Sequence, residues 1–245
     1  MANKLAVFKV EATTLEPFRI GAIQDPMSGI DNPVASVGKR PVIQGPSLKG
    51  ALRAEIEQHL ILQYSGTPEM MPCIPSSVNA LSAEERQLIQ AKKFRDDGAC
   101  VYSDKQKSSS ICPACYFLGA QGLVGFTRVP YLYCDTAPET LYSVRIDRAT
   151  GVVRERTNRD YQLLPDGTTF TGKMELLLFD PTRNWELGRP RPQLTGLDNW
   201  LSVRNWAQQD LLNEFIVQRL EAIRIIGGFK SKGFGRVKIM VTPLH

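Results

Sequence analysis

The chain has 245 residues (27.3 kDa), of which 42% are hydrophobic and 22% charged, enough to bury a sizeable core and too apolar for a disordered chain. Apolar runs fall short of the roughly 18 residues that span a bilayer, and Met1-Ala2-Asn3-Lys4 opens no signal-peptide hydrophobic region, so the expectation is a cytoplasmic protein with no membrane partner. The length suits a single domain over 1–245, with room for an insertion.

Read in chain order, Leu5, Val7, Phe8 and Val10 predict a strand over 4–12. A turn-rich stretch, 21–46, follows, with Asp25-Pro26, Ser28-Gly29 and Asn32-Pro33. Leu48, Leu52, Ile56 and Leu60 recur every fourth residue and predict a helix over 47–62. Residues 65–118 read as an insertion; Ser82-Ala83-Glu84-Glu85 opens a short helix to about Arg95, and 96–110 is polar enough to be mobile. Strands are expected at 122–135, 140–147 and 168–179, with a loop or hairpin at 148–166. The loop 180–205 carries Trp200 as an anchor, together with Trp206. An amphipathic helix over 206–225 follows, stopped by Gly227-Gly228, and then a last strand at 235–242. The order is that of an α+β, ferredoxin-like (RRM-like) βαββαβ core.

The net charge of +5 is unevenly placed. Between Asp31 and Glu55 lie Lys39, Arg40, Lys49 and Arg53 and no acid; after Glu221 lie Arg224, Lys230, Lys232, Arg236 and Lys238, again with no acid. The rest of the chain therefore carries −4. Positive charge concentrated on glycine- and serine-rich backbone points to a polyanion partner.

The run Ile226-Gly-Gly-Phe-Lys-Ser-Lys-Gly-Phe-Gly-Arg236 concentrates glycine, cations and aromatics between a helix and a strand. Bare amides at Gly227 and Gly228, with Ser231 and the charges of Lys230, Lys232 and Arg236, suit phosphate contact. Phe229 and Phe234 are either base-stacking groups or core residues. A Walker loop is excluded because these glycines follow a helix. The segment Ile43-Gln-Gly-Pro-Ser-Leu-Lys-Gly-Ala-Leu-Arg53 resembles the signature that opens the first helix of RAMP-superfamily CRISPR proteins, matched at Gly45, Ser47, Lys49, Gly50 and Arg53. The C-terminal run resembles the superfamily's second glycine-rich signature. Gly29-Ile-Asp31-Asn-Pro-Val34 resembles the target-cleaving loop of type III effector backbone subunits.

The resemblance implies a filament subunit that grips a guide (CRISPR) RNA, presents Asp31 to a paired single-stranded target RNA, and contacts neighbouring effector subunits. It implies an endoribonuclease in which Asp31 takes the 2′-proton or binds Mg²⁺ or another divalent cation, with Asp25 a poor second. It also implies a β-hairpin thumb at 148–166; in and just before it Arg145, Arg148, Arg154, Arg156 and Arg159 outnumber the acids, Asp147 and Glu155 among them. A solvated charged hairpin explains the same residues, and Asp31 before Asn-Pro is also an ordinary turn-former. The alternatives are a catalytically inactive RNA-binding subunit of the same complex and a zinc-ribbon interaction protein unrelated to RNA. The guide-processing relatives commonly use a histidine in the early loop; here His59 sits on the first helix and His245 at the end.

Cys112-Pro-Ala-Cys115 is a metal-binding knuckle by spacing, and Cys73 and Cys100 lie upstream in the same insertion. Structural zinc on these four is the expectation, with His59 an alternative to Cys73 and Cys134 a buried free thiol.

Overall fold

The computed structural model describes residues 3–22, 30–76, 78–144, 146–153 and 159–244. Asp25, Gly29, Arg145, Arg154, Glu155, Arg156 and His245, named above, lie outside the described residues, as do the Asp25-Pro26 and Ser28-Gly29 turns.

Strand β1 (Lys4–Thr14) buries Phe8, Val10, Ala12 and Thr14 on one face and leaves Val7, Lys9, Glu11 and Thr13 half exposed. This alternation runs two residues beyond the predicted end. Short strands β2 (Ser36–Val37) and β3 (Arg40–Ile43) occupy part of the stretch expected to be loop. Helix α1 (Gly45–Gln63) starts with a proline in its first turn, where the missing N–H has no partner to lose, and buries Leu48, Leu52, Ile56 and Leu60. In the insertion, α2 (Ala83–Gln90) opens with the predicted capping box: Ser82 Oγ accepts from Glu85 N–H while Glu85 accepts from Ser82 N–H.

Two expectations about the insertion change. Residues 96–110 are pinned: Arg95 pairs with Asp97 and donates to Ser110, and Val101 bridges to Gln121. Helix α3 (Pro113–Leu118) buries all six residues, Ala114 to Leu118 within the main core, Phe117 stacking on Phe215 at 5.1 Å and Tyr116 on Phe126 at 4.5 Å. The insertion's C-terminal end is thus core, because its run of apolar side chains meets Trp200 and Phe215 from elements distant in sequence.

The expected strand at 122–135 is two short ones, β4 (Thr127–Arg128) and β5 (Leu132–Tyr133), separated at Pro130, which cannot donate to a ladder. The expected 140–147 strand is β6 (Glu139–Ser143), and it pairs antiparallel with β7 (Arg159–Leu163) from Glu139↔Leu163 to Ser143↔Arg159. The hairpin therefore begins at Glu139 rather than inside 148–166. Long β8 (Thr169–Asp180) and short β9 (Trp185–Glu186) follow. Trp200 and Trp206 are both buried, as expected of anchors. Helices α4 (Gln208–Leu212) and α5 (Gln218–Ala222) are joined by a π turn over Asn213–Val217 in place of one continuous α-helix. The wider turn keeps Leu211, Leu212, Phe215 and Ile216 all buried. Strand β10 (Val237–Leu244) closes the chain.

The main sheet is antiparallel, in the order β10-β1-β8-β5-β3-β2, with β4 and β9 also on β8. Phe8, Val10, Phe170, Met174, Val237 and Ile239 share one hydrophobic core with the buried faces of α1, α4 and α5. The architecture is α+β with an antiparallel sheet. No helix among the described residues is long and apolar enough to cross a membrane.

Candidate nucleic-acid interface and metal centre

The first turns of α1 face the segment that leaves α5. Ser47, Gly50, Ala51 and Glu55 on one side, and Arg224, Gly227, Gly228 and Lys230 on the other, line a groove of about 590 Å³ that Ile20 and Gly21 also line. Both glycine-rich segments singled out in the sequence meet here. Lys49 and Gly50 are exposed, no acid sits in the first turn of α1, and the helix's unpaired N–H groups add positive potential. A Cβ on Gly50 would meet nothing within 4 Å, so the helix surface is bare at this point. Gly227 has φ +99°, and a Cβ there would lie 2.4 Å from the Arg19 carbonyl oxygen, so this close approach requires glycine.

Hydrogen bonds strap the C-terminal segment to residues 15–20: Gly228 N–H donates to the Arg19 carbonyl (2.8 Å) and Gly235 N–H to that of Pro17 (3.1 Å). Residues 20–22 bond in turn to 33–35, through Ala35 N–H to the Ile20 carbonyl and Ala22 N–H to that of Pro33. The hairpin closes the corner. Asp31 N–H donates to Asp160 Oδ1 at 3.3 Å, Val34 N–H to Gln162 Oε1 at 3.1 Å, and Asn32 bridges to Tyr161. Tyr161 meets Phe229 edge-on at 5.5 Å and Phe234 at 6.4 Å, while Lys232 Nζ lies 4.6 Å above the Phe229 ring. Phe229 itself is left-handed (φ +59°), an unusual conformation for a bulky residue. The two phenylalanines, half-buried, pack on each other and on Tyr161.

The cysteines form a separate centre. Cys73, Cys100, Cys112 and Cys115 are all buried and free, with Sγ atoms within 4.8 Å of one another. Two separations, Cys73–Cys115 at 3.5 Å and Cys73–Cys112 at 3.7 Å, suit sulfurs about 2.3 Å from one tetrahedral ion, which stand about 3.8 Å apart. The four can hold a metal such as zinc. Hydrogen bonds from Cys100 and its neighbours hold the Cys112 and Cys115 thiols below their ordinary range, while Cys73 and Cys100 are pushed up, which is how four crowded sulfurs divide protons. Both terminal nitrogens of Arg53 reach Cys115 Sγ at 3.6 Å, and Nη2 also donates to the Gly119 carbonyl (3.1 Å). Glu57 pairs with Arg53 at 3.5 Å; burial pushes its carboxyl up to about 7, against the opposing pull of Arg53.

A family model described as RAMPs, the RAMP superfamily, matches residues 11–238, nearly the whole chain. The chain belongs to the RAMP superfamily. No curated protein matches it. RAMP membership supports a CRISPR-associated RNA-binding subunit, in a superfamily that includes some ribonucleases.

The RAMP fold distributes the expected site residues unevenly. Ser47, Gly227, Gly228 and Lys230 line the groove, and Lys49, Ser231 and Lys232 are exposed near its rim segments. Arg236 is exposed but pairs with Glu16 at 3.6 Å. Gly45 is buried, with a Cβ position 3.0 Å from the Val129 carbonyl oxygen, and so serves helix packing. Arg53 turns inward to the cysteines. Arg148 is exposed on the turn after β6, and Asp31 is exposed at the loop–hairpin corner. His59 Nε2 bonds to Glu214 at 3.0 Å, a carboxylate that also takes Tyr64 and Arg204, so Cys73 and not His59 joins the cysteine cluster. Cys134, buried and free, stands alone just after β5. Sequence reasoning passed over Arg19, Asp160 and Tyr161. Only Arg19, a charge between Phe18 and Ile20, leaves a local trace.

Proposed function

We propose that this RAMP protein is a guide-RNA-binding backbone subunit of a type III CRISPR effector complex, and that it cleaves guide-paired target RNA at the Asp31 loop. The observation that carries the RNA-binding part is the groove in which both glycine-rich signatures meet, where Gly50, Gly227 and Gly228 with Arg224 and Lys230 outweigh the one acid among its described lining residues, Glu55. The guide strand would lie along Ser47, Lys49, Gly227, Gly228, Lys230 and Lys232. The strand order β10-β1-β8-β5 with α1 and α4–α5 in one core supports an RRM-like core. The 139–163 hairpin beside the Asp31 loop supports the thumb.

In the proposed reaction the target's 2′-oxygen attacks the adjacent phosphorus and the P–O5′ bond breaks, the 5′-oxygen taking a proton from solvent water, giving a 2′,3′-cyclic phosphate and a 5′-hydroxyl. Asp31 accepts the 2′-proton or helps hold a divalent cation, with Mg²⁺ expected from the resemblance. Such an ion would neutralise charge developing on the phosphate. The Asp31 carboxylate and the neighbouring Asp160 are of a type that suits a hard cation. Zinc on Cys73, Cys100, Cys112 and Cys115 would be structural, tying the insertion to α1, and the assembly would be cytoplasmic.

Purification with co-expressed guides, followed by sequencing of bound RNA, tests the class: repeat-derived guides are expected, and their loss in a Lys49→Ala/Lys232→Ala variant. Absence of guides from the wild-type complex overturns the reading. Asp31→Ala should keep guide-directed binding and abolish cutting. Unchanged cutting, or equal cutting of a target with a 2′-deoxy substitution at the scissile position, rejects the cleavage step. A wild-type complex that binds but never cuts leaves the inactive structural subunit.

A further inference from the structure

Arg19 is only 7% exposed, yet no carboxylate lies within ion-pairing distance of it among the described residues. Its Nε has no hydrogen-bond partner, and Nη2 reaches one carbonyl, that of Pro33, at a long 3.5 Å. The guanidinium lies 5.0 Å from the centre of the Phe229 ring. Burial pulls the Arg19 pKa down, opposed only by nearby Tyr161. A buried cation is ordinarily paired, because its lost hydration must be replaced. Here Nε of a planar fork has no acceptor, and among the described residues only the Pro33 carbonyl faces the terminal nitrogens.

Its setting is specific. A Cβ on Gly21 would sit 3.3 Å from both terminal nitrogens, so the guanidinium lies against a bare glycine that itself lines the groove. The Arg19 carbonyl is held by Gly228 N–H, and its side chain leans on the carbonyl two residues beyond Asp31. The residue thus bridges the glycine-rich grip and the proposed cleaving loop. Guanidinium matches phosphate oxygens in a bidentate way that a carbonyl cannot.

We propose that Arg19 is an anion seat for one backbone phosphate of the RNA strand that passes between Gly227-Gly228 and the Asp31 loop. This rests on the RNA-binding reading above and extends it to a residue outside both glycine-rich signatures. The phosphate supplies a counter-charge that no described residue provides, so RNA binding and the order of this corner are coupled.

The test is titration of a fluorescent single-stranded oligoribonucleotide into full-length wild-type, Arg19→Met and Arg19→Lys proteins across a salt series, with melting temperatures measured without RNA. Arg19→Met should bind about tenfold more weakly at low salt. Its log K against log salt slope should be shallower by about 0.7, one phosphate's share on a single strand. Its RNA-free melting temperature should equal or exceed that of wild type, since a buried charge with no carboxylate partner among the described residues is removed. Arg19→Lys should restore the slope without the full affinity. A wild-type slope and affinity in Arg19→Met, or a fallen melting temperature with an unchanged slope, overturns the proposal and makes Arg19 a packing residue. If Lys49→Ala and Lys232→Ala weaken binding while Arg19→Met does not, only the Arg19 proposal falls. If wild type binds no RNA, both fall.

Discussion

The carboxylate of Asp160, on the second strand of the hairpin, accepts the backbone N–H of Asp31 at 3.3 Å. Asn32 adds a second tie, donating from Nδ2 to the Asp160 carbonyl at 3.3 Å. Removing the carboxylate leaves the loop N–H without its partner and frees the turn that presents Asp31. Asp160→Ala should therefore lower target cutting about 10- to 100-fold with RNA affinity within about twofold, a loss of positioning. Asp160→Asn keeps an acceptor oxygen and should retain most of the rate. Equal losses in both variants would mean that the charge of Asp160, rather than its acceptor, matters.

Gly50 separates stability from binding. It lies in the first part of α1 with open space where a Cβ would be. Gly50→Ala should raise stability to denaturant by up to about 1 kcal/mol, the usual helix gain. If RNA runs over this surface the same methyl group should weaken binding several-fold. Improved stability with unaltered affinity would move the RNA path off the groove floor. Gly227→Ala is the opposite case: strained at φ +99° and clashing with the Arg19 carbonyl, it should destabilise the fold.

The cysteine centre should contain about one equivalent of zinc per chain when purified without chelator, and Cys112→Ser should lose it together with several degrees of melting temperature. Arg53 donates to Cys115 Sγ, a contact that steadies a thiolate. Arg53→Gln should keep zinc but release it to a chelator about 10-fold faster, in line with the usual effect of outer partners on metal sites. Less than half an equivalent of metal in wild type would reject the site.

Glu57 gives a pH signature. Its folded pKa, about 7, stands above the ordinary 4.5, with burial the main cause. Between these values the folded chain binds more protons than the unfolded one, so stability falls as pH rises from about 4.5 to 7, and the penalty persists above 7. Glu57→Gln should flatten that slope and exceed wild type at pH 8 by roughly 1–3 kcal/mol in denaturant melts. An unchanged slope would show that Glu57 ionises normally.

Local pattern determined a good deal about this protein. The four-residue spacing of Leu48, Leu52, Ile56 and Leu60 fixes the buried face of α1, alternation fixes that of β1, and Ser82 with Glu85 fixes the start of α2. These signals are readable because each depends on neighbours within a few residues. The placement of glycines and cations likewise named both walls of the groove.

Tertiary structure alone decided the rest. Cys73 and Cys100 reach the Cys112–Cys115 knuckle only once the insertion folds on the core, and the same packing turns Arg53 from the RNA signature onto sulfur. Asp160 and Tyr161 meet Asp31 and Phe229 because the β6–β7 ladder returns the chain to the first loop. Arg19 is buried beside the Phe229 ring, with no carboxylate partner among the described residues, only in the folded chain. No periodicity encodes a contact across such separations. The two charged segments are adjacent because α1 packs against α5 and the chain leaving α5 is bonded to Arg19 and Pro17.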